Sequence, residues 1–499
     1  MHSTFKSRSA PPKASAMIEA LRGLGYNTQT ALADIVDNSI AAGATEVRID
    51  FVWAERDSRV MCLDNGSGMS AVQLDRAMRL GERSPLEERA ENDLGRFGLG
   101  LKTASFSQCR RLTVAAMGTD GLQSLRWDLD YLARSTDDGW HLLEGPHPGS
   151  EDFLESLSSR TSGTLVLWED LDRIVASGTT VQDFLDLADR VEQHLGMVFH
   201  RFLEGSRPRL KILLNGTPVR PWDPFMTDHP GKPYNPPIFT HPSRYGIEAE
   251  CHVLPHKDML TAEAFERLTG PEGWTAQQGF YVYRNERLLV SGSWLGLGAG
   301  RAWTKDEAHR LARIRLDIPN SADADWKIDI RKSTARPPVY LRQWLTGLAE
   351  VTRSRARRAF AHRGRPTLIG KRQVMEVWKI ERLAGGMRYR VDPEHPAVRA
   401  VLDEAGALLP MIRTMLRVIE ESVPVQRIWI DTAENRDTPR TGFDQSPPNE
   451  AREVLLVMYR NMIERKGYSP EAAREQLRAT EPFHAFPALI DALPDSLKE

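Results

Sequence analysis

Cysteine is scarce. The chain has 499 residues and only three cysteines, Cys62, Cys109 and Cys251. They stand too far apart to make a disulfide framework or a zinc knuckle, so they are expected as reduced thiols in a core. No stretch reaches the roughly 18 uninterrupted apolar residues that a membrane helix needs. The basic N-terminus (MHSTFKSRSAPPKASA) has no apolar segment behind it. The expectation is a cytoplasmic protein that does not enter a membrane. Charge of one sign is missing too: 66 Lys and Arg stand against 68 Asp and Glu, a formal net charge of -2. Whole-chain electrostatics therefore gives no argument for nucleic acid. Tryptophan and tyrosine are scattered, not spaced as a stacking platform for single strands, and there is no internal repeat. What is present, 41% apolar and 27% charged residues, describes a soluble globular chain. Its length suggests about three domains at roughly 100 to 200 residues each.

The pattern over 27–43 predicts a helix, with Asn27 or Thr28 as N-cap, Leu32, Val36 and Ile40 on one stripe, and Gly43 at the end. Strict alternation over 45–53 predicts a half-buried strand. A second strand near 60–63 runs into Asp64-Asn65-Gly66-Ser67-Gly68, and Ser70 caps another helix. A polar stretch follows to 93, and glycine returns at Gly95, Gly98 and Gly100 ahead of a further helix. Strands are expected at 112–117, 122–129 and 163–168, making the first two hundred residues an α+β sandwich on a mostly antiparallel sheet. A second unit is expected from about Pro208, with a strand at 210–214 entering an Asn215-Gly216 turn and two strands over 279–290. A helix at 305–312, a strand at 314–318 and a helix from Tyr340 follow. The remainder reads as helices at 398–408, 450–463 and 471–477 around a polar loop at 432–448.

Four segments carry chemistry. Asp34 and Asn38 are i, i+4 neighbours on the first helix, so a carboxylate and a carboxamide address one ligand from one face, which suits a water and a metal. Asp37 is the alternative carboxylate, turned about 100° from Asn38 around the helix. Asp64 ends a strand, and the glycines after it let backbone approach a flat ring while the carboxylate accepts from an exocyclic amine. By itself Asp-Asn-Gly is also a plain turn. Gly95, Gly98 and Gly100 permit a tight loop whose N–H groups cradle phosphates, with Lys102 as an added cation; a flexible surface loop is the alternative. A Walker-type P-loop is rejected because the lysine comes one residue late and no buried strand precedes Gly95.

In this order and spacing, DIVDN (34–38), DNGSGM (64–69), GRFGLGLK (95–102) and Gly163-Thr164 resemble the GHKL ATPases, the superfamily of gyrase B, Hsp90, MutL, histidine kinases and MORC proteins. The resemblance covers about residues 17–170. It implies a Bergerat-fold sandwich that binds ATP and Mg²⁺, with Asn38 as metal ligand and Asp34 as general base where the family usually has glutamate. Asp is one methylene shorter, so slow hydrolysis is expected. Carried over residue by residue, the ATP contacts are Asn38, Ala42, Asp64, Gly66, Gly68, Met69, Gly95, Arg96, Phe97, Gly98, Leu99, Gly100, Leu101, Lys102 and Thr164. Lys102 and a second lysine are catalytic cations, and residues 70–94 form the ATP lid.

The second lysine comes from the resemblance to the MORC and MutL branch, whose ATPase domain is followed by a ribosomal S5-like transducer domain. The loop over 326–338 resembles its lysine loop, with Lys332 first and Lys327 second. The implied domains are 1–205 (ATPase), 206–352 (transducer), 353–372 (basic linker helix) and 373–499 (a mixed, mainly helical C-terminal region). The segment ahead of the first motif is too short for the phosphoacceptor helices of a histidine kinase. Residues 353–372, from Arg353 to Arg372, hold no acidic residue; they suit either a DNA phosphate backbone or a solvated helix face. No nuclease is read from 444–450 (DQSPPNE), so a nuclease or helicase would be a separate partner. The resulting expectation is a slowly hydrolysing, ATP-gated homodimeric clamp in restriction or phage defence. A non-hydrolysing ATP-gated scaffold and an Hsp90-like chaperone are the alternatives.

Overall fold

The computed structural model describes residues 12–23, 25–81, 100–137, 139–227, 236–242, 246–298, 300–322, 325–326, 328, 335–362, 368–369, 372–383, 386–433 and 449–495. The chain divides into two compact units, Met1–Arg363 and Gly364–Glu499.

The first unit opens with α1 (Ala14–Arg22) and α2 (Thr28–Ala41). Asn27 caps α2, its side chain accepting the Thr30 N–H at 2.8 Å, which satisfies a donor the helix itself leaves unpaired. The alternating segment forms β1 (Glu46–Val52), with Val47, Ile49 and Phe51 buried, and β2 (Arg59–Asp64) pairs antiparallel to it. A capping box of Ser70 and Gln73 starts α3 (Ala71–Met78), and α4 (Gly100–Phe106) comes next. Then come β3 (Arg111–Gly118), β4 (Gly121–Asp128), α5 (Leu129–Arg134), β5 (Leu143–Glu144), α6 (Glu155–Ser158) and β6 (Gly163–Glu169). After them run α7 (Val181–Val198), α8 (His200–Leu203), β7 (Lys211–Leu214) and β8 (Thr217–Pro218). The strands make one sheet in the order β5-β4-β3-β6-β2-β1-β7-β8. Each described pairing is antiparallel except β1 with β7.

Period two sorts the side chains of this sheet. Val60, Cys62, Leu112, Val114, Val166 and Trp168 face the helices, in one core with Leu32 and Val36 of α2, Phe106 of α4 and Leu195 of α7. Their neighbours Leu63, Ala115 and Leu165 turn to the other face, under Leu154 and Leu157. All three cysteines are free and buried. The mixed α+β sandwich expected from the sequence is present.

The second sheet has the order β12-β11-β13-β10-β9. Its strands are β9 (Ile238–Thr240), β10 (Glu248–Val253), β11 (Gly279–Arg284), β12 (Arg287–Ser293) and β13 (Ala312–Ile318). α9 (Ala262–Leu268) lies between β10 and β11 in sequence. Asn285 and Glu286, with φ of 47° and 67°, make the turn between β11 and β12, the backbone a two-residue hairpin of this hand requires. α10 (Val339–Ala361) lays Leu341, Leu345, Ala349 and Ala356 onto the core that holds Phe280, Ile314 and Leu316.

Several elements differ from the sequence reading. The Asn215-Gly216 hairpin is formed, but β7 hydrogen-bonds to β1 and extends the first sheet, because a turn signal sets a local pairing and not the sheet that receives it. The helix expected at 305–312 is a single 3-10 turn, Glu307–His309, capped by Asp306, and β13 already begins at Ala312. The helix expected over 353–372 is the end of α10, which stops at Ala361. In the second unit the helices Pro396–Glu404, Asn449–Glu464 and Pro470–Arg478 match expectation, while the hairpin of Trp378–Leu383 with Gly386–Val391 and the helix Leu409–Glu421 were not foreseen. No helix among the described residues is long and apolar enough to cross a membrane.

Trp168 joins layers as well as filling space: it is 1% exposed and its indole N–H donates to Ser105 Oγ of α4 at 2.9 Å. Trp168→Ala is expected to cost about 3–5 kcal/mol in urea unfolding. A loss below 1 kcal/mol would show that β6 and α4 are held by other contacts.

Candidate functional site

The site grows from α2 and the end of β2. Asp64 is 6% exposed, and donors from three elements meet its carboxylate. Ser39 Oγ of α2 donates to Oδ2 at 2.8 Å, while the N–H groups of Gly66 and of Thr164 on β6 donate to Oδ1 at 2.9 and 3.1 Å. Burial pushes the Asp64 pKa up, and these hydrogen bonds pull it back. A carboxylate offers about four acceptor positions, so three donors leave room for about one more.

The turn after Asp64 is fixed from below. Asn65 Oδ1 accepts the N–H groups of Thr45 and Glu46 at 2.8 and 2.9 Å, and Ser67 N–H donates to Ala42 O at 3.0 Å. A Cβ on Gly66 would come within 2.9 Å of the Ala42 Cβ. Gly68 has φ of 66°, and a Cβ there would overlap the Met117 carbonyl of β3. Met69 follows, packed against the core of the first sheet.

In the middle of α2, Asp34 is 4% exposed. Its Oδ2 accepts the Tyr26 hydroxyl at 2.9 Å, and Arg287 Nη2 lies 3.8 Å from its Oδ1. Gly100, the first residue of α4, is adjacent: a Cβ there would stand 3.7 Å from Asp34 Oδ2. Asp37 is buried in a pair with Arg287 Nε at 3.0 and 3.1 Å. Asn38 is exposed on α2, one turn beyond Asp34. Asp34 and Ser39 are five residues apart, a rise of about 7.5 Å along the helix. One helix therefore carries a carboxylate at one end of the site and a support for Asp64 at the other.

The remaining expected residues divide. Leu101 packs on the core. Lys102 is 4% exposed, and its ammonium donates to Ala77 O in the last turn of α3 at 2.8 Å, a favourable place for a cation. Burial brings its pKa down to about 8. Gly95, Arg96, Phe97, Gly98, Leu99, Lys327, Lys332 and most of the lid lie outside the described residues. Tyr26, Ser39 and Arg287 were not singled out from the sequence. Among the described residues no group of three His, Cys, Asp or Glu side chains could hold a metal.

Residues 26–164 match the family described as histidine kinase-, DNA gyrase B-, and HSP90-like ATPase. This segment is similar to the ATPase domains of that GHKL class, and ATP is the ligand the family implies. No curated protein matches the chain.

The turn yields a direct comparison. Gly68 and Gly121 both have positive φ, 66° and 78°, but a Cβ on Gly121 would meet no atom within 4 Å. Gly121→Ala should cost about 1 kcal/mol, the backbone term alone, and Gly68→Ala about 1–3 kcal/mol more. Equal losses in denaturant unfolding would mean that the turn is free to move away from β3.

Proposed function

We propose that the chain is a slowly hydrolysing ATPase in which Asp64 recognises adenine, Asn38 holds Mg²⁺ and Asp34 activates water. The observation that carries this reading is the placement of Asp34, Asn38 and the Asp64 support Ser39 along α2, with the start of α4 beside Asp34. Asp64 has capacity for one further donor, which the exocyclic amine of adenine supplies. Asn38 presents a carboxamide oxygen to solvent, the hard donor that Mg²⁺ accepts alongside phosphate oxygens and water. When bound, the metal supplies positive charge to the phosphates.

In the proposed step a water oxygen attacks the γ-phosphorus, its proton passes to an Asp34 oxygen, and the bond to the β,γ-bridging oxygen breaks to release ADP. Tyr26 holds the other Asp34 oxygen and so limits the rotation of the carboxylate. Ala42, Gly66, Gly68, Met69 and Thr164 shape the adenine end. Residues 95–102 belong to the phosphate end by the resemblance. Lys332 is assigned to the γ-phosphate from the resemblance of the lysine loop alone. The same reading makes the protein an ATP-gated homodimeric clamp in DNA-related work such as restriction or phage defence. Arg355, Arg357 and Arg358, exposed on α10, support contact with a phosphate backbone.

Asp64→Asn replaces an acceptor by a mixed donor and acceptor, and ATP binding in calorimetry should be lost; unchanged affinity would remove Asp64 from the adenine site. Asp34→Ala should keep ATP bound and lower steady-state phosphate release about a hundredfold or more. Full turnover in that variant would overturn the base assignment. Addition of duplex DNA to the wild type is expected to change the turnover rate, and no change at low salt would count against the DNA-related role.

A further inference from the structure

We infer that Arg287 is a positioning residue that ties the second sheet to the helix bearing Asp34. The inference rests on the reading of Asp34 as the water-activating base. Arg287 is the first residue of β12, directly after the Asn285-Glu286 turn, and it is 3% exposed. Its Nε donates to both oxygens of Asp37, Nη1 donates to Leu288 O of its own strand at 2.9 Å, and Nη2 stands 3.8 Å from Asp34 Oδ1. One rigid guanidinium thus faces two carboxylates set i, i+3 on α2, one of them the candidate base.

A guanidinium cannot shed its charge when buried, and a buried ion pair is poor evidence of stability because desolvation offsets the attraction. Geometry is the better account of the pair. The Nε holds Asp37, and through it the rotation of α2 about its own axis. The remaining nitrogen and the Tyr26 hydroxyl sit on opposite oxygens of Asp34. Any shift of β12 relative to α2 must displace one or both carboxylates, and a displacement of about 1 Å at a catalytic group is worth roughly a hundredfold in rate. β12, with Arg287 at its head, borders the cavity that Ala335 and Pro337 line, so a shift of the second sheet is passed to Asp34 through Arg287. Hydrolysis then depends on the docking of the two sheets, whereas recognition of adenine at Asp64 does not.

The test compares wild type, Arg287→Met, Arg287→Lys, Asp37→Asn and the double variant Arg287→Met/Asp37→Asn in steady-state ATPase assays and ATP calorimetry. Arg287→Met is expected to lower kcat at least about tenfold while KM and ATP affinity move by less than about threefold. Arg287→Lys, which keeps the charge without the fork, should recover part of kcat. The double variant removes both charges of the Arg287–Asp37 pair, so it remains measurable should a single variant fail to fold. It is expected to be no slower than the worse single variant, because the pair acts as one unit. A folded double variant with wild-type kcat, or a loss that appears in KM and kcat alike, would overturn the positioning role and leave the ATPase reading standing. A wild type that binds ATP without turnover would overturn the base reading, and this inference with it.

Discussion

Much of the first unit is organised around the carboxylate of Asp64. It is buried at the end of β2, and its donors come from α2, from the turn and from β6. Without them the ionised group would lack compensation for leaving water. With them it cross-links the helical layer to two strands and fixes the turn at Gly66. The neighbouring Asn65 repeats the device on the β1 side, accepting from Thr45 and Glu46. Electrostatic satisfaction and ligand geometry are the same problem at this position: the groups that make Asp64 tolerable also aim its remaining capacity.

The second sheet meets α2 and the α7–α8 corner through polar contacts of the same kind. His200 shares a hydrogen bond of 2.8 Å with Tyr283, Arg201 pairs with Asp317 at 2.5 Å, and Arg287 reaches Asp37. Apolar packing of Met197, Phe225, Tyr281 and Leu288 lies among them. Interfaces built from specific charged pairs favour a few discrete arrangements over continuous sliding. That suits the proposed reading, in which Asp64 recognises the base and the second sheet acts at the phosphate end.

Local chemistry made the first unit legible. Alternation exposed β1, the Ser70 cap announced α3, and the residues of DIVDN and DNGSGM lie close enough in sequence for their joint chemistry to be seen. The partners that complete the site were hidden by distance along the chain: Ser39 meets Asp64 across 25 residues and Arg287 meets Asp37 across 250. Nothing near Arg287 marks it beyond a charge at the head of an apolar strand. The 18-residue α7 carries Phe184, Ala188, Val191 and Leu195 at helical spacing together with a Thr180 and Asp183 capping box, a helix signal the sequence does carry. The destination of β7 was not available from pattern, since an edge strand carries no label for its sheet.

The three thiols have an experimental consequence. Cys62 and Cys109 sit in the first core and Cys251 in the second. Burial raises the pKa of each, so little thiolate is present at neutral pH and alkylating reagents must wait for the backbone to open. Because none is tied into a disulfide, the native chain carries its own chemical clocks. Labelling of Cys251 times the loosening of the second core, labelling of Cys62 and Cys109 that of the first, and the interval between them measures how far the two cores breathe independently.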